Sequence, residues 1–384
     1  MQRRTLLTWF AIGHLANDWP IASLWLIVPA AGIAMDLSAA EIGLLFTIFS
    51  IGGALAYLPA GILTDHVSNR GRLLIATFWW VAIGYVLAAK APGYWSFALL
   101  LAFAGMGNAA WHPIATGVLT QESSGQRAQA LGVHAIGGSL AEVLAPLSVG
   151  FLLVYVDWRD ALMISVLPTI LMGAGFSWVA SRLPHVETPA FNKQDFKDLL
   201  HVWRRGSGSR IAAMICSYNT ALIALLSMIP FYLADEQGLA PVAVGVTFSA
   251  LLVVGAFAQP WVGKLSDRIG RRVVLVMGNC AAALSAVALI LQPPFWIMIA
   301  AMTAAVAALD AIRATVLATA VDHTDHRHGT TLGLAFVLLE GVGALGAVLA
   351  GVAAGYSWPL MFAFAAGFSL IAAVLAYVTV LGHA

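Results

Sequence analysis

The decapeptide GKLSDRIGRR, residues 263–272, is a polar segment between two long apolar runs. A degraded copy, GILTDHVSNRGR, occupies residues 61–72 and again separates two apolar runs. In the second copy the basic residues follow Asp267 directly, whereas in the first copy a longer stretch separates Asp65 from Arg70. Two related copies of one polar turn indicate an internally repeated chain.

The composition excludes an ordinary soluble domain. The chain has 384 residues, of which 61% are hydrophobic and 10% charged, against about 25% charged in soluble domains. The formal net charge is +1 and no basic stripe stands apart from the apolar pattern, so nucleic-acid binding is not expected. Cys216 and Cys280 both lie in apolar runs, which gives no sign of a disulfide framework.

The apolar runs are long enough to cross a bilayer, since a helix needs about 20 residues to span about 30 Å of hydrocarbon. The chain is therefore predicted to be an all-α membrane protein with twelve transmembrane helices. The predicted spans are residues 7–33, 40–63, 72–90, 94–119, 128–154, 159–181, 210–233, 241–265, 272–292, 294–318, 330–354 and 357–380.

The distribution of Lys and Arg predicts the orientation. With a cytoplasmic amino terminus, nearly all basic residues outside the spans fall on the cytoplasmic side, and only Lys90 and Arg159 fall opposite. Because cytoplasmic loops of membrane proteins carry an excess of positive charge, both termini are expected in the cytoplasm. The expected location is the bacterial inner membrane.

One long polar interval predicts the division of the chain. Residues 183–209 contain prolines and many charges and are interpreted as a cytoplasmic linker between residues 1–182 and 210–384. A shift of 201 positions pairs Asp18 with Asn219. This internal similarity predicts two pseudo-symmetric six-helix bundles, as in transporters built from repeats.

GKLSDRIGRR resembles the loop motif of the major facilitator superfamily of secondary transporters. That family carries the motif between helices 2 and 3 and often again between helices 8 and 9. The resemblance implies alternating access by two six-helix halves and a gate at the cytoplasmic loops. It places Asp267 near Arg127 and Asp65 near Thr330, with the Asp267 contact the more complete. The gate residues it implies are Gly61, Asp65, Arg70, Arg72, Gly263, Asp267, Arg268, Gly270, Arg271 and Arg272.

A finer resemblance concerns helices 1, 4 and 5. The segment containing His14 and Asp18, GNAAWHP at residues 107–113, and GGSLAEVLAP at residues 137–146 are similar to the fosmidomycin-resistance-like branch. This similarity implies proton-coupled efflux. The arginine that many drug:proton antiporters carry in helix 4 is absent, and His112 occupies that neighbourhood.

Ionisable residues inside the spans are the candidate functional residues, because each costs about 2.5 to 3.5 kcal/mol on insertion scales. His14 and Asp18 are spaced i, i+4 and share one face of helix 1, with Asn17 beside them. They are interpreted as a proton or cation site, or alternatively as a local pair that caps an irregular helix.

Helices 4 and 5 contribute further candidates. His112 precedes Pro113, whose ring removes a backbone donor, and Asn108 lies one turn earlier. His134 and Glu142 share a face of helix 5. These residues either line a polar cavity or form interhelical hydrogen bonds.

The second half carries a smaller set. Asp310 and Arg313 are spaced i, i+3 and are predicted to neutralise each other. Tyr218 and Asn219 in helix 7 are candidate cavity residues. Glu340 opens GVGALG, which matches a dinucleotide motif in letters only, because no strand precedes it. Its glycines are interpreted as helix packing.

Other functions find no support in the sequence. The loop DHTDHRH, residues 322–328, contains metal-ligand types but is expected to be a solvated loop, so no metal site is predicted. Lys264 is followed by leucine and not by the serine or threonine of a P-loop. No nucleophile and base occur at helical spacing, so neither an enzyme nor a cofactor is expected.

The sequence favours a monomeric secondary active transporter that exports a drug-like or polar organic compound in exchange for protons. Its expected partners are the small-molecule substrate, the proton and the lipid bilayer. An uptake symporter for a metabolite or a metal chelate remains an alternative, as does a non-transporting membrane receptor or assembly factor.

Overall fold

The computed structural model describes residues 2–122, 127–183, 206–322 and 334–379. These ranges are nearly all helical and contain no strand. The helices are α1 Arg3–Ala34, α2 Ala39–His66, α3 Arg70–Ala89, α4 Tyr94–Glu122, α5 Arg127–Leu152, α6 Trp158–Ser165, α7 Leu167–Ala180, α8 Ser207–Asp235, α9 Pro241–Ile269, α10 Arg271–Ile290, α11 Phe295–Asp322, α12 Leu345–Tyr356 and α13 Trp358–Thr379, with a π-helical segment at Leu338–Gly343 before α12.

The predicted spans match these helices. Eleven helical stretches in the described ranges are long and apolar enough to cross a membrane, and α6 and α7 together form one of them, Trp158–Ala180. Helix α1 is not among the eleven although it has 32 residues. His14, Asn17 and Asp18 lower its hydropathy, so the long helix that falls outside the eleven is one that carries three candidate residues.

Two helix irregularities were not predicted. The break between α6 and α7 lies at Val166, just before Pro168 at the start of α7. A proline ring fits the first turn of a helix, where its missing N–H has no intrahelical partner. The second irregularity is the π-helical segment Leu338–Gly343, a rare conformation that is frequent at functional sites.

Thr47 takes part in the transition from the π-helical segment to α12. Its Oγ1 donates to the carbonyl of Ala344 at 2.8 Å and accepts from the N–H of Val348 at 3.2 Å. The usual helical bond from Val348 to Ala344 is thus bridged by a hydroxyl group from α2. A side chain inserted into the ladder in this way is a recognised cause of helix irregularity.

By their internal contacts the residues form two compact units. The first comprises Met1–Ile27 and Ile48–Asn192, and the second comprises Val28–Thr47 and Lys193–Ala384. The end of α1 and the start of α2 are therefore grouped with the second unit. The division at the 183–209 linker stays a prediction from the sequence.

The core of the first unit is anchored by Trp111, whose side chain is fully buried. Its ring lies 4.6 Å from Phe78, 5.6 Å from Phe176 and 6.0 Å from Phe10, measured between ring centroids. These rings come from α3, α7 and α1, so Trp111 joins three helices to α4. Its burial also fixes the rotation of α4, and with it the direction of the neighbouring His112.

Two arginines at equivalent places brace the polar loops. Arg271, the first residue of α10, pairs with Asp267 at 2.6 Å and with Asp322 at 3.2 Å. Arg70, the first residue of α3, donates through Nε to the carbonyl of Thr64 at 2.7 Å and through its guanidinium to Gln121. The first motif copy therefore also has an arginine at the start of its helix. The additional residue between Asp65 and Arg70 lengthens the loop and leaves the position of the arginine in the helix unchanged.

The two loops turn differently. Gly270 adopts a φ of 93°, a left-handed conformation that favours glycine. In the first copy Asn69 precedes the helix with a φ of −98°, and its side chain accepts from the N–H of Arg72. A side-chain cap thus replaces the glycine turn.

We predict that Arg70→Lys destabilises the protein by about 1 to 3 kcal/mol, because an ammonium group cannot reproduce the fork of a buried guanidinium. Thermal unfolding in detergent, followed by tryptophan fluorescence, measures the effect. The exposed Arg72 on the same helix provides the control Arg72→Lys, which should leave the melting temperature unchanged. Equal melting temperatures for the two variants would contradict this role of Arg70.

Candidate coupling site

Asp18 and His14 form an ion-pair contact inside the first unit. His14 Nε2 lies 3.0 Å from Asp18 Oδ2, and the two side chains are 13% and 15% exposed. The contact follows directly from their i, i+4 spacing on α1. A carboxylate and an imidazole are thus held together in the middle of a 32-residue helix.

The second ring nitrogen of His14 fixes the chemistry of this contact. Nδ1 lies 2.8 Å from the backbone carbonyl oxygen of His134. A carbonyl oxygen can only accept, so Nδ1 must carry the hydrogen and Nε2 of a neutral ring presents a lone pair. That lone pair would face a carboxylate oxygen. The pair therefore requires one proton, or another cation, between Nε2 and Oδ2.

His112 completes a group of three possible ligands. Its Nε2 lies 3.6 Å from Asp18 Oδ1, and its ring meets that of His14 edge to face with centroids 5.2 Å apart. Tyr57 of α2 stacks on His112 at 6.3 Å. Sequence reasoning missed Tyr57, because an aromatic residue in an apolar helix gives no distinguishing signal.

Two asparagines tie α1 to α4 by reciprocal hydrogen bonds. Asn108 Nδ2 donates to the backbone carbonyl of Asn17 at 3.0 Å, and Asn17 Nδ2 donates to the carbonyl of Asn108 at 3.3 Å. Both amides also donate to Asp18 Oδ1, at 3.0 Å from Asn17 and 3.2 Å from Asn108. The same donors thus join two helices and stabilise the carboxylate.

His134 supports the site from α5. Its ring stacks on His14 with centroids 4.2 Å apart, and its Nδ1 lies 3.2 Å from the carbonyl oxygen of Phe10. Gly138, one turn along the helix, leaves room for His14, because a Cβ at that position would lie 2.8 Å from Nε2. The predicted small-residue face of helix 5 therefore accommodates an imidazole ring. Glu142 of the same helix is half-buried.

The candidates of the second unit have different partners. Tyr218 donates to the carbonyl of Leu309 at 2.9 Å, and Asn219 donates to that of Leu339 in the π-helical segment at 2.7 Å. Glu340 lies in the same segment. Gly343 packs against Asn219, where an added Cβ would lie 2.7 Å from the Asn219 Cβ, in agreement with the packing interpretation of GVGALG.

The polar pair of α11 has a separate environment. Asp310 is buried, and its backbone carbonyl accepts from Gln259 Nε2 at 3.4 Å. Its side chain packs against Gly255, where an added Cβ would lie 2.6 Å from Oδ2. Arg313 is half-buried. The mutual neutralisation of Asp310 and Arg313 stays a prediction.

Some predicted positions lie outside the described residues. They include Thr330, most of the DHTDHRH loop, and the side chains of Asp65 and Arg127. The predicted contacts of the two gate aspartates therefore stay predictions.

We predict that Asn108→Ala lowers the free energy of unfolding by about 1 to 3 kcal/mol, because it breaks the bonds between α1 and α4 and removes a donor to the carboxylate. Asn279 offers a matched control, since it is equally buried but its amide donates only to Leu275 of its own helix, at 2.8 Å. Thermal unfolding should show a large loss for Asn108→Ala and little change for Asn279→Ala. Similar losses for both would indicate that the reciprocal bonds do not contribute.

Comparison with known proteins agrees with this architecture. The protein is 24% identical over 291 residues to a "Putative metabolite transport protein" of Haemophilus influenzae, covering 72% of this chain and 70% of that protein. It is 24% identical over 307 residues to a "Probable 4-methylmuconolactone transporter" of Cupriavidus pinatubonensis, covering 76% of this chain and 69% of that protein.

The fold also matches a solved structure. A bacterial homologue of the human lysosomal transporter Spinster, crystallised in an inward-facing and unoccupied conformation, superposes with a TM-score of 0.80 at 17% identity, covering 98% of this chain and 96% of that one. The family model described as Major Facilitator Superfamily matches residues 10–344 and, in a second match, residues 232–383. Since this family model covers most of the sequence, the chain belongs to the Major Facilitator Superfamily of membrane transporters.

Proposed function

We propose that this transporter couples proton entry to the export of a drug-like or polar organic compound, working as a monomer in the bacterial inner membrane with both termini in the cytoplasm. The observation that carries the proposal is the 3.0 Å contact between His14 Nε2 and Asp18 Oδ2, with His14 Nδ1 already committed to a carbonyl. This contact needs one proton, which makes it a natural place for a coupling proton.

The surrounding groups support exchange of that proton. When it leaves, the Asp18 carboxylate keeps the amide donors of Asn17 and Asn108 and faces His112 at 3.6 Å. The charged form is therefore not left without partners in an apolar surrounding. The side chains of His14, Asp18 and His112 are 13%, 15% and 22% exposed, which gives a proton or a substrate access to the group.

The direction of transport is supported by the resemblance of helices 1, 4 and 5 to an efflux branch. In an exchanger, a substrate binds when Asp18 is unprotonated, and proton binding favours its release on the other side. Because the proton and the substrate compete for the same group, the two ligands occupy the site at different times.

Uptake of a metabolite together with a proton is the second candidate. It is favoured by the names of the two relatives, which refer to metabolite transport and to 4-methylmuconolactone. The same proton site serves both modes, because a symporter binds the proton and the substrate together, whereas an exchanger binds them in turn. A receptor or assembly factor that transports nothing would have no use for the exchange of this proton.

The experiment begins with a growth screen of cells that overexpress or lack the protein, across toxic compounds and carbon sources. Compounds that score are then tested in membrane vesicles with an imposed pH gradient. We predict that Asp18→Asn abolishes gradient-driven transport at unchanged membrane abundance, because an amide cannot release a proton. Accumulation of the compound in cells distinguishes uptake from efflux.

Asp36→Asn is the matched control for this experiment. Asp36 is exposed just after α1 and has a φ of 54°, a conformation that asparagine tolerates well. This variant should transport like the wild type. Gradient-driven transport that survives in Asp18→Asn would refute proton coupling at this residue, and transport of nothing across the whole screen would favour the receptor class.

A further inference from the structure

The group that holds the proposed proton also has the composition of a metal site. His14, Asp18 and His112 each offer one ligand atom, and these atoms all lie within 4.8 Å of one another. His14 Nε2 lies 3.0 Å from Asp18 Oδ2, and His112 Nε2 lies 3.6 Å from the other carboxylate oxygen, Oδ1. Ligands about 2.0 to 2.2 Å from one metal ion are themselves about 3 to 3.5 Å apart. The three ligand atoms, which lie up to 4.8 Å apart, would have to draw together around a bound ion to reach that range.

We propose that His14, Asp18 and His112 bind a divalent late transition-metal ion, of the class of Co²⁺, Ni²⁺ and Zn²⁺, between α1 and α4. Two imidazoles and one carboxylate suit these borderline ions. Mg²⁺ and Ca²⁺ prefer sites made of oxygen ligands alone, and Cu⁺ prefers sulfur. The sequence did not predict this site, because His112 is 94 positions from Asp18 and the geometry of two helices is needed to join them.

The outer contacts of the three residues match those of metal ligands. A metal-bound histidine typically donates its second ring N–H to a carbonyl or carboxylate. His14 does so toward the carbonyl of His134 at 2.8 Å, which leaves Nε2 directed to Asp18. Asp18 Oδ1 is held by the amides of Asn17 and Asn108, so the carboxylate is also oriented before an ion arrives.

A second observation comes from Asn17. Its side chain is fully buried, and within the described residues its Oδ1 has no hydrogen-bond partner, although its Nδ2 contacts Asp18 at 3.0 Å. A buried amide oxygen next to the carboxylate is an additional acceptor that a bound cation, or water attached to it, would satisfy.

Metal and proton compete in this arrangement, because both use the lone pairs of His14 Nε2 and Asp18 Oδ2. A bound dication would keep the proton out and arrest a proton-coupled cycle. The binding itself does not depend on the proposed transport function, since it requires only the three side chains and their outer contacts.

Equilibrium binding of Co²⁺ to the full chain in lipid nanodiscs tests the proposal. The loop histidines His323, His326 and His328 are first changed to glutamine. This removes the histidines of the DHTDHRH loop, which could bind cobalt themselves. This background protein should bind one Co²⁺ and show the visible d–d absorption of cobalt with nitrogen ligands. His112→Gln should weaken binding by at least ~100-fold, because even loss of an outer contact costs 10- to 100-fold.

His66→Gln is the matched control, because His66 is a half-buried histidine outside the group whose Nδ1 contacts the carbonyl of Ile62 in its own helix. It should bind cobalt like the background protein. Asp18→Asn and His14→Gln should each lose cobalt binding. A variant counts as folded when it elutes as a monodisperse peak and its helical circular dichroism is unchanged. Cobalt binding unchanged in His112→Gln, or absent from the background protein, would overturn the proposal.

The outcome is separable from that of the transport experiment. Loss of gradient-driven transport in Asp18→Asn without any cobalt binding to the background protein would retain proton coupling and reject the metal site. Cobalt binding that depends on His112, together with transport that survives in Asp18→Asn, would retain the metal site and reject proton coupling.

Discussion

The contact between a histidine nitrogen and an aspartate oxygen on one turn of α1 is the constraint around which the first unit is built. Because the other nitrogen of His14 donates to a carbonyl of α5, the contact with Asp18 cannot be satisfied by the ring alone. A cation has to complete it. In water such a requirement would have little consequence, but inside a membrane helix an incomplete polar contact is costly.

The rest of the unit holds this contact in place. Trp111 fixes α4 against three aromatic rings, and the reciprocal amide bonds of Asn17 and Asn108 fix α4 against α1. Gly138 lets α5 approach His14 closely enough to accept its N–H and to stack His134 on it. Apolar packing, small residues and buried amides therefore act together to position one carboxylate.

The two halves use related sequence positions for different purposes. Asn17 and Asn108 join two helices near a carboxylate, whereas Asn219 in the second unit satisfies a carbonyl of the π-helical segment. The repeat that aligns Asp18 with Asn219 thus has a polar residue at both positions, and the two residues have different roles. Arg70 and Arg271 show the opposite case, since both begin a helix and brace a polar loop although their partners differ.

Much of the fold follows from the sequence, because the length of apolar runs, the basic loops and the repeated motif all reflect the bilayer. Within the described residues, each of the twelve predicted spans corresponds to a helix or to a pair of consecutive helical segments. The i, i+4 relation of His14 and Asp18 was also predictable, since both lie on one helix. The π-helical segment, the role of Thr47 and the stacking of Tyr57 were not, because they depend on contacts between helices that leave no periodic signal.

The contacts of His112 and His134 with the His14–Asp18 pair were not predictable either, because they also join different helices. Intramembrane histidines were recognisable as candidates, but their partners were not. The backbone carbonyl that sets the ring state of His14 belongs to a residue 120 positions away. Only the packing of α1 against α5 shows that Nδ1 of His14 donates to this carbonyl and that Nε2 must therefore share a proton with Asp18.

In the proposed arrangement His14 carries a hydrogen on Nδ1 and shares a second proton with Asp18 at Nε2. Solid-state NMR of protein labelled with ¹⁵N-histidine, with His14 assigned by comparison with His14→Gln, measures this directly. We expect a protonated Nδ1 and a hydrogen-bonded proton at Nε2 that is lost in Asp18→Asn. An unprotonated Nδ1, or a proton at Nε2 that is indifferent to Asp18, would contradict it.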